Sequence, residues 1–217
     1  MHLTLPQKLY LLCYTVDQEK FRAVDLQGRG QLLRAGALAE LALAGLLGTD
    51  GGKVARRTGE PPADTFAAEV WSDLPTERPK RWLRFVHNKA HTAEGAVRAQ
   101  LVAAGAVAPP EKRRLSPLAS HHVTVADPGQ VLGLQATARE AVLSGHAPAA
   151  VPSQASTMAV LAAECEVSTV FTGKERREHK QSLKALAAHF DTQVPGLRRA
   201  LRDSFLSSRG VGGGWGS

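Results

Sequence analysis

His87 and His91 stand four residues apart, the spacing at which two imidazoles on one helical face can share a metal ion. No Glu follows His87, as a zinc-peptidase motif requires, and no third ligand stands nearby. The two read as a surface pair. His121 and His122 are adjacent in an extended segment and would point to opposite faces of a strand. Cys13 lies among Leu and Tyr, as a core thiol does. Cys165 is flanked by Glu164 and Glu166, whose charges disfavour a thiolate. The chain has no P-loop, no dinucleotide fingerprint and no Gly-x-Ser-x-Gly elbow. These residues predict no enzyme, no resident metal and no cofactor. Arginine is the chemistry that remains. Arg34 opens the most apolar helix signal, where a guanidinium could take a phosphate bidentately. The alternative for Arg34 is a salt bridge, or a snorkelling side chain, at the start of a buried helix.

The composition sets the frame for these residues. The chain has 217 residues, 43% of them hydrophobic and only 5% aromatic, with Ala, Leu and Val dominant. That is enough apolar material for a sizeable core, and it favours helices over a strand-rich sandwich. Two cysteines make no disulfide framework. Residues 1–20 lack the order of a signal peptide, since Asp17 and Glu19 arrive early. The most apolar stretch, 35–48, is interrupted by Glu40 and too short to span a bilayer. A reducing, cytoplasmic setting is expected.

Net charge is +7, which points to an anionic partner. The excess is uneven. Residues 78–114 carry net +7 and residues 174–217 net +5, while the rest of the chain is net −5. Arg outnumbers Lys 18 to 9, a GC-rich codon signature, so not every Arg need be functional.

Periodicity predicts the elements that position these residues. Residues 3–16 read as a short helix with Pro6 in its first turn. Residues 32–47 are the strongest helix signal: Leu33, Ala37, Glu40, Leu41 and Ala44 step by three and four. Their flanks are apolar nearly all round, so this helix should be central, with Gly45 and Gly48 ending it. A hairpin follows over 49–57. Further helices are predicted over 65–72 (capped by Asp64), 80–88, 93–104 (capped by Thr92), 131–143, 156–170, 174–190 and 195–206. Residues 107–125 form a second hairpin-like segment with a basic tip. Residues 210–217 form a flexible Gly-rich tail in which Trp215 is unpacked.

One internal echo links these elements. Residues 40–47 and 100–107 each place an apolar helix before a glycine stop and then a hairpin. Helix, glycine, hairpin is the plan of a winged helix, and it makes a nucleic-acid binder the alternative functional reading, with Lys112, Arg113 and Arg114 as a wing tip. Against it, residues 32–47 hold no basic residue beyond Arg34 and cannot be a recognition helix.

Several segments, in order, resemble the Golgi phosphoprotein 3 family, including its bacterial members. Leu3-Thr-Leu-Pro-Gln-Lys-Leu-Tyr-Leu-Leu12 is similar to the family's opening helix. Leu33-Arg-Ala-Gly-Ala-Leu-Ala-Glu-Leu-Ala-Leu-Ala-Gly-Leu46 is similar to its most recognisable segment, an Arg before a Glu-Leu-Ala-Leu helix. Leu101-Val-Ala-Ala-Gly-Ala-Val107, Glu140-Ala-Val-Leu143 and residues 158–163 continue the match. The resemblance implies a mainly α fold: a single domain over 1–209 with buried central helices, two winged-helix-like helix–hairpin units and a protruding β-hairpin.

It also implies a non-catalytic peripheral membrane or adaptor protein resembling phosphatidylinositol 4-phosphate binders. By this resemblance the headgroup residues are Arg34 and His91, with Lys89 and Arg98 compensating. The family's aromatic residue has no counterpart, since Asp25 and Leu26 stand there. Glu94 takes the place of its second basic residue. The expected partner is therefore an anionic phospholipid or phosphoinositide headgroup at a membrane surface, with the specific lipid open. Residues 107–125 offer edge strands for a homo-oligomer.

Overall fold

A computed structural model describes residues 2–22, 28–50, 52–109 and 123–210. The fold is mainly helical, with one two-stranded and one three-stranded antiparallel sheet. Helix α1 (Leu5–Leu12) starts at Thr4, whose N–H donates to the Gln7 side-chain Oε1 at 3.0 Å, and carries Pro6 in its first turn. It ends four residues earlier than its apolar pattern predicts. Tyr14 and Thr15 leave the helix as β1 (Tyr14–Thr15), pairing with β2 (Lys20–Phe21) around a short 3-10 turn. Aromatic packing favours the strand: Tyr10 and Tyr14 both meet the Phe21 ring edge-on, at 4.9 and 5.5 Å.

Helix α2 (Arg29–Leu43) is the centre of the molecule. It packs against α1, and also against α3 (Thr65–Ser72), α4 (Trp82–His87), α5 (Ala90–Ala103), α7 (Ser153–Glu164) and α10 (Leu197–Gly210). A Cβ added to Gly30 would lie 1.9 Å from the Ala90 carbonyl oxygen, so the start of α2 meets the start of α5 backbone to backbone.

The first helix–glycine–hairpin unit is complete in the described residues, and of the second they show the helix, its glycine stop and one antiparallel bridge; the two helices end in the same way. After α2, the Leu46 N–H reaches the Leu41 carbonyl and the Gly45 N–H reaches that of Ala42, with Gly45 at φ 75°. After α5, Ala106 and Gly105 repeat the pattern on Leu101 and Val102, with Gly105 at φ 69°. The first unit continues into β3 (Leu47–Asp50) and β4 (Lys53–Arg56), with β5 (Lys80–Arg81) added on the outer edge of β4. The second begins an antiparallel ladder at Val107 and Val125, flanked by the Ala108 N–H on Thr124 and the Ala126 N–H on Ala106. Its basic tip, His121 and His122 lie outside the described residues.

Other helix limits shift for local reasons. Thr92 is inside α5 rather than capping it; its hydroxyl donates to the Lys89 carbonyl at 2.9 Å, and Lys89 at φ 55° starts the helix. Asp127 accepts from the Gln130 N–H, so α6 (Pro128–Leu143) begins before Val131. Helix α7 stops at Glu164 because Glu166 turns to φ 54°. The amphipathic stretch after residue 173 is two helices, α8 (Gly173–Glu178) and α9 (Lys180–Gln193), separated at His179. Helix α10 reaches Gly210, and Trp215 lies outside the described residues. Among the described residues no helix is long and apolar enough to cross a membrane.

Candidate functional site: a buried arginine clamp and an exposed basic face

Arg34 lies on the first turns of α2 and is fully buried. Its Nε donates to the Phe85 carbonyl of α4 at 2.6 Å, and its Nη2 donates to Asp73 Oδ2 at 2.9 Å. The other Asp73 oxygen, Oδ1, accepts from Lys89 Nζ at 2.7 Å, and Glu69 stands 3.8 Å from the same ammonium. Burial raises the Asp73 pKa, but the Lys89 and Arg34 hydrogen bonds outweigh it and hold the carboxyl below its ordinary value. One carboxylate thus ties together the end of α3, the core of α2 and the junction between α4 and α5.

Of the four residues expected at a headgroup site, Arg34 and Lys89 are brought together, by Asp73. Arg34 forms the salt bridge that was its alternative reading, and its guanidinium does not reach the surface. His91 and Arg98 are seven residues apart on α5, close to two full turns, so they share a face with Glu94 between them. His91 is exposed and Arg98 half-buried.

Glu94 is not idle. It pairs with Arg29, which is itself buried and lies over the Phe21 ring at 4.1 Å and the Tyr10 ring at 5.6 Å. Burial pushes the Tyr10 hydroxyl up to about 12, against the opposing pull of Arg29 and Arg98. Glu94, standing at the family's basic position, thus neutralises a buried arginine that no periodicity argument singled out. The segment of Asp25 and Leu26 lies outside the described residues.

Metal and thiol chemistry find little support in these elements. His87 and His91 sit on separate helices, because Asn88 is extended and Lys89 left-handed, so the shared helical face does not exist. Both cysteines are buried, and burial pushes the Cys165 thiol well above its ordinary value.

The two basic blocks behave differently. In the C-terminal one, Arg198 bridges Asp191 and Glu164, and Arg176, Arg202 and Arg209 gather on Glu166. Those cations are struts between helices. In the other block, Arg78, Lys80, Arg81 and Arg84 are exposed, and no ion pair or side-chain hydrogen bond holds them among the described residues.

This geometry describes a mainly helical protein about a buried central helix, with two small antiparallel sheets, internal arginines engaged in cohesion and exposed cations over 78–84. Residues 5–204 match the family model described as Golgi phosphoprotein 3 (GPP34), and the chain belongs to the Golgi phosphoprotein 3 family. That family is one of non-enzymatic lipid-binding adaptors, peripheral at the Golgi. No curated protein gives a significant match to the chain.

Proposed function

We propose that this chain is a non-catalytic peripheral membrane adaptor that binds anionic phospholipid headgroups. The observation that carries the proposal is the exposed positive charge of Arg78, Lys80, Arg81 and Arg84, which no acid pairs with among the described residues, in a chain of a lipid-binding family. Each basic residue near an anionic bilayer contributes about 1 kcal/mol, and one not already bonded to an acid contributes without first breaking a bond. Lys89, His91 and Arg98 would add to this charge, with Arg34 acting from beneath by fixing Asp73 and through it Lys89.

Liposome sedimentation tests the proposal. Pelleting is expected to rise with anionic lipid and fall with salt, and phosphatidylinositol 4-phosphate compared with phosphatidylserine at matched charge reads the specificity. Negligible pelleting with every vesicle would overturn it. The winged-helix alternative loses its first recognition helix, since α2 is enclosed by six other helices. A gel shift at low salt checks the remaining unit.

A further inference from the structure

Helix α4 turns Trp82, Phe85 and Val86 into the core and leaves Leu83, Arg84, His87 and Asn88 outside. Helix α10 packs alongside it. Between them runs an open groove of about 640 Å³, lined by Arg81, Leu83, Arg84, His87, Asn88 and Ser207. That is the size of a small-ligand site. Its lining holds two guanidinium groups, an imidazole and a carboxamide, and no carboxylate.

Neither the Arg81 nor the Arg84 side chain has a bonded partner among the described residues. The His87 ring is steadied from inside, its Nδ1 lying 3.1 Å from the hydroxyl of the buried Ser204. The nearby acids are engaged elsewhere. Asp73 and Glu69 face Lys89, and Asp203, one turn before Ser207 on α10, faces Arg199 at 4.0 Å. Leu83 in the lining is 39% exposed, and Leu206, beside Ser207, is 47% exposed.

We propose that this groove is the chain's phosphate-headgroup site: it takes the phosphomonoester of an anionic membrane lipid on Arg81 and Arg84. His87 and Asn88 add hydrogen bonds, and Leu83 and Leu206 rest in the interfacial layer. The inference rests on the membrane-adaptor reading and moves its centre from Arg34 to α4. The physical reason is availability. A headgroup recruiting Arg34 or Lys89 must take them from Asp73, and bringing Arg34 to the surface would also unpack α2. Arg81 and Arg84 break nothing when they bind, and two guanidinium forks suit the three oxygens of a phosphomonoester. Exposed leucines beside the cations suit a bilayer interface better than a soluble phosphate.

The test uses the full chain in three forms: unaltered, Arg81→Glu/Arg84→Glu, and the charge-matched control Lys174→Glu/Lys180→Glu, whose residues are exposed on α8 and α9. Vesicles are phosphatidylcholine alone, with phosphatidic acid, or with phosphatidylserine at equal charge; inorganic phosphate serves as a soluble competitor. The groove variant should lose at least about 30-fold in partition to phosphatidic acid vesicles, since each arginine at an anionic surface is worth about fivefold. The control should stay within about threefold. Thermal melts should not change, because both arginines are exposed and unbonded. Equal losses in groove variant and control would overturn the inference and leave the adaptor reading standing. Absence of pelleting by the unaltered chain would overturn both. Full competition by millimolar phosphate would make the ligand a free anion, and tight DNA binding without vesicle binding would make it a nucleic acid; either outcome overturns the lipid assignment.

Discussion

Asp73 receives a buried guanidinium on one oxygen and a half-exposed ammonium on the other, so its loss acts on two cations of unequal cost. Asp73→Ala leaves Arg34 charged, fully buried and held only by the Phe85 carbonyl, and should destabilise the fold by about 3–5 kcal/mol. Lys89→Ala frees a side chain that water already reaches, and should cost about 1 kcal/mol or less. Urea denaturation of the two variants separates them. Acid dependence carries the same sign. The Asp73 pKa is depressed in the folded state, so its contribution is present above the ordinary carboxylate range and is lost as pH falls through the depressed value.

Glu40 runs the other way. Burial raises its pKa, although its Oε1 accepts the Leu5 N–H at 3.2 Å. The folded state therefore favours the protonated form, an advantage lost as pH rises through the raised value. Glu40→Gln keeps the acceptor and removes the charge, so its melting temperature should exceed that of the unaltered chain near pH 7. The gap should close below about pH 4.

At the scale of elements, the glycine that ends α2 and the glycine that ends α5 carry the same conformational demand. Gly45 and Gly105 are both left-handed, and a Cβ on either would meet nothing within 4 Å. Gly45→Ala and Gly105→Ala should therefore each cost only the backbone penalty, about 1–2 kcal/mol, and should add in the double variant. Gly30→Ala should cost more, because the Ala90 carbonyl occupies the place of its methyl group.

These echoes were legible in the chain because glycine stops and three-to-four periodicity are local signals. So were α3, with its Asp64 cap, and the centrality of α2, which followed from apolar residues all round one helix. Tertiary choices were not legible. Nothing near residue 13 says that Phe21 will draw Tyr14 out of a helix. No spacing reveals that Asp73, thirty-nine residues away, will claim Arg34. The basic block over 78–114 was visible as charge. Its groove was not, although Trp82, Phe85 and Val86 turning inward leave Arg84 and His87 on the outer face of α4.

For the whole molecule, the decisive feature is how charge divides between cohesion and surface. Arg176, Arg198, Arg202 and Arg209 are tied to Glu164, Glu166 and Asp191 and link α7, α9 and α10, so high salt should act on them mainly through stability. The cations over 78–84 have no internal partner among the described residues, so salt should act on them through binding. The antiparallel bridge between Val107 and Val125 adds a third element. If residues 107–125 supply edge strands for self-association, replacing residues 110–122 with a short Gly-Ser turn should lower the sedimentation mass measured at high protein concentration while leaving the melting temperature within a few degrees, because Val107, Val123 and Val125 remain to close the core. A second copy would also double the cationic face presented to one bilayer, so the same deletion should weaken vesicle pelleting more at low lipid density than at high density, as loss of a bivalent contact does. An unchanged mass with unchanged pelleting would mean that one copy meets the membrane on its own and that the hairpin serves another purpose.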